Sequence, residues 1–81
     1  MKLIANIDNR YYLENQAEAD ELRAKFRYKF RGMRGASKML GINEVTLHRK
    51  MKIPKDGEHR GFFTYGEIKK LNDAGIEIKI H

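Results

Sequence analysis

Within residues 34–52 the chain gathers side chains suited to holding anions and reading hydrogen-bonding edges: Arg34, Asn43, Glu44, Val45, Thr46, His48, Arg49, Lys50 and Lys52. A guanidinium offers a rigid fork of donors, an ammonium a compact point charge, and Asn or Thr a short donor–acceptor group. This is the chemistry of recognition rather than of bond making. No nucleophile is spaced beside a base, and Gly57 and Gly61 lack the spacing of a phosphate-cradling loop. His48, His59 and His81 stand far apart with no accompanying ligand pattern, so no metal site is expected. With no cysteine, thiol nucleophiles, disulfides and Cys-based zinc sites are excluded. Neither an enzyme nor a cofactor is expected.

The charge that accompanies these side chains is unevenly spread. The 81 residues carry +6 in all. Residues 1–22 hold two bases against five acids, residues 23–60 twelve bases against three acids, and residues 61–81 balance at three and three. The whole positive excess therefore lies in the middle of the chain, as a surface for a polyanion requires. Part of it has a structural cause, because acids at the start and bases at the end of a helix complement its macrodipole. That explanation covers Arg23 to Lys29 and limits those residues to phosphate contact at most.

The elements that must position the central residues can be read from apolar spacing. Ala19, Leu22, Phe26, Phe30 and then Met33 recur at threes and fours, predicting a first helix from about Leu13 to Phe30. Gly32 and Gly35 bracket a break. A second helix, Arg34 to Leu40, turns Ala36, Met39 and Leu40 inward and ends at Gly41. Asn43 is a good N-cap for a third, about Glu44 to Lys52, with Leu47 and Met51 inward and His48, Arg49 and Lys52 outward; Pro54 stops it. Thr64 and Glu67 have capping-box spacing, with Phe63 and Ile68 placed as a hydrophobic staple. The fourth helix they open buries Ile68, Leu71 and Ala74, and Gly75 closes it in a left-handed conformation. Ile76 to His81 then alternates as a half-buried strand does. Its one strand-like partner is Lys2 to Ile7, paired either within a chain or across a dimer. The expected fold is one mainly α domain spanning residues 1–81, four helices with a helix-turn-helix and short N- and C-terminal β-strands.

Residues 36–51, Ala-Ser-Lys-Met-Leu-Gly-Ile-Asn-Glu-Val-Thr-Leu-His-Arg-Lys-Met, supply what two crossing helices need: small residues at the crossing, a glycine in the turn and apolar anchors on both sides. This stretch resembles the DNA-binding motif of Fis-type proteins, in which small-small-x-x-apolar-Gly-Ile-Asn, Thr-Leu and a basic pair recur. Phe62 to Ile68 resembles the fourth-helix entry of small phage regulators of the Cro and repressor class. Two departures from the Fis-type pattern are Ser37 in place of alanine and Glu44 in place of a base. The resemblance implies that the third helix enters a major groove and that Asn43, Glu44, Val45, Thr46, His48, Arg49 and Lys52 face DNA. Arg49 would bind a guanine or a phosphate, Val45 a thymine methyl, and Thr46 or Lys52 phosphates. Asn43 reads as a cap before it reads as a base contact, and Glu44 as a favourable charge at a helix start before it reads as an acceptor from cytosine.

The expected function is sequence-specific binding of double-stranded DNA by a small transcriptional regulator, a repressor of phage or mobile-element type, acting as a homodimer in the cytoplasm. The N-terminus lacks a signal-like apolar core, and no apolar run approaches membrane-spanning length. Phe26 to Gly32 interleaves aromatics with bases as some RNA binders do, but periodicity turns Phe26 and Phe30 inward, so duplex DNA is favoured over RNA. Two alternatives stand beside this reading. One is a protein-interaction module or inhibitor that uses the acidic front of the first helix. The other is a DNA-binding subunit of a recombination or packaging complex.

Overall fold

Asn15 opens the first helix: its backbone is extended and its side chain accepts a hydrogen bond from the Glu18 amide at 3.0 Å, pairing one of the donors that a helix start leaves unsatisfied. The computed structural model describes residues 2–5, 10–53 and 61–80, with the backbone alone for residues 2–5, 79 and 80. The helix that Asn15 caps is α1, Gln16–Phe30. It begins later than the apolar spacing suggests, because Leu13 enters the core ahead of the cap rather than from the helix itself. Three further helices follow: α2, Met33–Leu40; α3, Glu44–Met51; and α4, Tyr65–Asp73. The fold is mainly helical with short strands, as expected.

The strands form one four-stranded sheet. β1 is Lys2–Ala5, β2 Arg10–Tyr12, β3 Phe63–Thr64 and β4 Lys79–Ile80, in the order β3-β2-β1-β4. The terminal strands pair within the chain, in parallel, with Lys2 opposite Lys79 and Leu3 opposite Ile80. β2 and β3 are additions to the expected pair. They are antiparallel neighbours, Arg10 opposite Thr64 and Tyr11 opposite Phe63, and at three and two residues they are too short to show alternation. The expected strand ends at Ile7 and His81, Pro54 as a helix stop, and Gly57 and His59 lie outside the described residues.

Among the described residues thirteen apolar side chains make one core. Leu22 and Phe26 of α1, Ala36 and Leu40 of α2, Leu47 and Met51 of α3, and Ile68 and Leu71 of α4 all point into it. Phe30, Met33 and Met39 pack half-buried at its edge, and Ala74, expected on the buried side of α4, is half-buried. Burying a side chain such as Phe26 or Phe63 contributes about 1.5–3 kcal/mol, so these two rings are large terms for a domain of this size.

Two turns set how the helices meet. Between α1 and α2, Arg31 adopts a left-handed backbone, φ 63°, and Gly32 follows at φ 128°. A non-glycine residue there costs roughly 1–2 kcal/mol. In return, the Arg31 and Gly32 amides donate to the Arg27 and Phe26 carbonyls, and the chain reverses sharply enough for Gly35 to lie directly on the Phe30 backbone. At the other end of the domain, α4 keeps the expected capping box and the expected left-handed Gly75, φ 91°. The Ile76 amide donates to the Leu71 carbonyl, and the Ile78 amide to the Asn72 side chain at 2.9 Å. The Asn72 bond carries the chain from the end of α4 toward β4. Among the described residues no helix is long and apolar enough to cross a membrane.

Candidate nucleic-acid interface

α2 and α3 are joined by a three-residue turn. Gly41 takes a left-handed conformation, φ 73°, so that its own amide reaches the Lys38 carbonyl and the Ile42 amide the Ser37 carbonyl. The Lys70 ammonium on α4 donates to the Leu40 carbonyl at 3.3 Å, placing a cation where the end of α2 presents unpaired acceptors. Ala36 and Ser37 are both buried on α2. The Ser37 hydroxyl donates to the Arg34 carbonyl at 2.7 Å, which is why a serine is tolerated in an apolar setting.

α3 starts as the sequence predicts. Asn43 is extended, and its side-chain oxygen accepts from the Val45 amide at 2.7 Å. That oxygen is thereby committed to the cap. Glu44 sits in the first turn and His48, Arg49 and Lys50 in the last, the order that suits the helix dipole. The helix stops at Met51, and Lys52 is already extended, φ −68° and ψ 129°.

The inward side of α3 is held by more than apolar packing. Leu47 and Met51 are in the core. Lys50, named among the DNA-contacting candidates, is instead drawn across to α4. Its ammonium lies 3.0 Å from the Glu67 carboxylate, donates to the Phe62 carbonyl at 3.3 Å, and stands 5.6 Å from the Phe62 ring centroid. The Glu67 carboxylate also accepts from the Thr64 amide at 2.8 Å, so a single group caps α4 and anchors α3. The Arg10 guanidinium lies 4.9 Å from the centroid of the same Phe62 ring. Gly61 completes the attachment: a Cβ there would lie 2.7 Å from the Lys50 Cα, closer still to the Arg49 carbonyl. Sequence spacing could not reveal this cluster, because its members come from four segments and Glu67 alone already has a complete explanation as a cap.

The outward side of α3 presents Glu44, Val45, His48, Arg49 and Lys52, all exposed, with Asn43 exposed at the helix start and Thr46 half-buried at the margin. Val45 is 57% exposed. Glu44 and His48 lie one turn apart with 3.8 Å between carboxylate and imidazole, a solvent-facing pair of small energetic weight. Arg34 is exposed on the first turn of α2, one turn before Lys38. Of the nine residues singled out from the sequence, seven are thus exposed and Thr46 is half-buried, while Lys50 is the one whose charged end turns to Glu67. No family model, no curated protein and no solved structure matches this chain.

Proposed function

We propose that this protein binds double-stranded DNA sequence-specifically through the outward face of α3, as a small cytoplasmic transcriptional regulator of the repressor type acting as a homodimer. The observation that carries the reading is the division of α3. Leu47, Met51 and Lys50 are committed to the interior, while Val45, His48, Arg49 and Lys52 remain on one accessible stripe at spacings of three, one and three. A rigidly seated short helix with such a stripe is suited to a major groove, where a guanidinium can take a guanine edge and an exposed β-branched side chain a thymine methyl. The +9 of residues 23–60 supplies the sequence-independent attraction. Arg34 lies outside α3 and would contribute a phosphate contact.

The test is selection of bound fragments from random duplex DNA, followed by anisotropy titrations of the selected site with Arg49→Ala. A palindromic consensus is expected, with a loss of about 1–3 kcal/mol for the variant and a steep fall of affinity with salt. Recovery of no consensus together with unchanged affinity of the Arg49 variant would refute the assignment to α3.

A further inference from the structure

The last turns of α1 and the Arg31 cap that follows carry three side chains that the core does not use. Tyr28 is 89% exposed, more than either of the other large apolar side chains left at the surface among the described residues, Val45 and Tyr65. Arg27 precedes it and Arg31 follows at i+3, and both are exposed. Other bases of the helix have work within the fold. Arg23 pairs with Asp20 at 3.6 Å, and the Lys29 ammonium lies at the end of α4, where a Cβ on Gly75 would come within 2.5 Å of it. Lys25 is half-buried.

Arg31 is also held in a left-handed backbone conformation, at a helix end where glycine is the easy choice. Strain retained at an exposed residue directs attention to its side chain. An exposed phenol beside two guanidiniums, with no acid anywhere between residues 22 and 43, fits a polyanion. The phenol and the guanidiniums can donate to phosphate oxygens, and the ring can lie on a sugar. Exposed Arg34 and Lys38 continue the spacing beyond the break between α1 and α2.

From these observations we infer that Arg27, Tyr28 and Arg31 form a second contact surface, distinct from the α3 stripe, for the sugar–phosphate backbone of duplex DNA. The inference extends the DNA-binding reading of the preceding section and rests on it for the identity of the polyanion. An acidic protein segment is the competing occupant.

The full chain and its Arg31→Gly, Tyr28→Ala and Arg49→Ala variants are titrated against a random-sequence duplex by anisotropy between 50 and 200 mM salt, with a polyglutamate peptide as second probe. Thermal melting accompanies each titration. Arg31→Gly is expected to melt no lower than wild type, since the strain is removed, yet to bind duplex about three- to tenfold more weakly with a salt slope reduced by about one. Tyr28→Ala should weaken binding with an unchanged melting temperature. A structural role alone predicts the opposite for Arg31→Gly, improved folding with undiminished binding, and that result overturns the proposal. Polyglutamate bound as tightly as duplex, and lost in the same variants, overturns it in favour of an acidic protein. Loss in Arg31→Gly, with Arg49→Ala unchanged both here and on the selected site, leaves this surface standing and removes the α3 stripe. The reverse pattern removes this surface alone, and wild-type protein that binds no duplex removes both.

Discussion

Replacing Gly35 and Gly66 by alanine, one at a time, should move stability in opposite directions although both lie in the first turn of a helix. Neither has a left-handed backbone, so alanine meets no conformational penalty at either position. In a helix, glycine costs roughly 0.5–1 kcal/mol relative to alanine, and in open space the substitution recovers that amount. Gly66 is in open space: the nearest atom to an added Cβ is the Thr64 hydroxyl oxygen at 4.0 Å. Gly35 is not. Its Cβ would come within 3.0 Å of the Phe30 carbonyl carbon and 3.1 Å of the Phe30 Cβ, and closer still to the carbonyl oxygen. These are mostly backbone atoms of α1, fixed by the helix and unable to step aside as a side-chain tip would. Relief requires α2 to back away from α1, opening the packing around Phe26 and Ala36, both fully buried.

Overpacking of this kind costs typically about 1–3 kcal/mol and sometimes more. Here the upper part of that range applies because the obstacle is backbone, leaving a net loss of about 2 kcal/mol after the helix gain is subtracted. For a domain of this length 1 kcal/mol corresponds to about 4–8 °C in melting temperature, so Gly35→Ala should melt about 8–16 °C lower. Gly66→Ala should melt a few degrees higher. Calorimetry and urea titration at neutral pH measure both. Equal shifts of the same sign would refute the close approach of α1 and α2, and with it the geometry that sets α2 beneath α3.

Two further outcomes follow from the attachment of α3 and of the carboxyl terminus. Lys50→Met and Glu67→Gln should each cost about 1–3 kcal/mol, and the double variant less than their sum, because each single change strands a largely buried partner; strict additivity in urea titrations would show that the ion pair does not couple α3 to α4. Asn72→Ala removes the acceptor of the Ile78 amide and should cost about 1 kcal/mol, with faster exchange of that amide than in wild type; unchanged protection would show that the bond is not what holds the segment leading to β4.

Local chemistry was sufficient to place the helices. Asn43, Thr64 with Glu67, and Gly75 act within a few residues of themselves, so their roles as caps and terminator could be read from neighbours in the chain and appear as read. The apolar spacing of Leu22 and Phe26, and of Leu47 and Met51, likewise fixed which sides face the core. The same periodicity set Val45, His48, Arg49 and Lys52 on the other side of α3. What the sequence could not decide depends on contacts between distant segments. Periodicity assigned Lys50 to neither side of α3; the tertiary fold turns it to Glu67, 17 positions away, and to Phe62. β2 and β3 exist because Arg10 to Tyr12 finds the short segment ahead of α4, a pairing with no local signature. The start of α1 shifted for a similar reason, since Leu13 is apolar by type but is buried from outside the helix. Intrinsic propensity and capping act through the nearest few residues, whereas ion pairs, strand partners and close backbone approaches arise only when the packed core brings remote residues together.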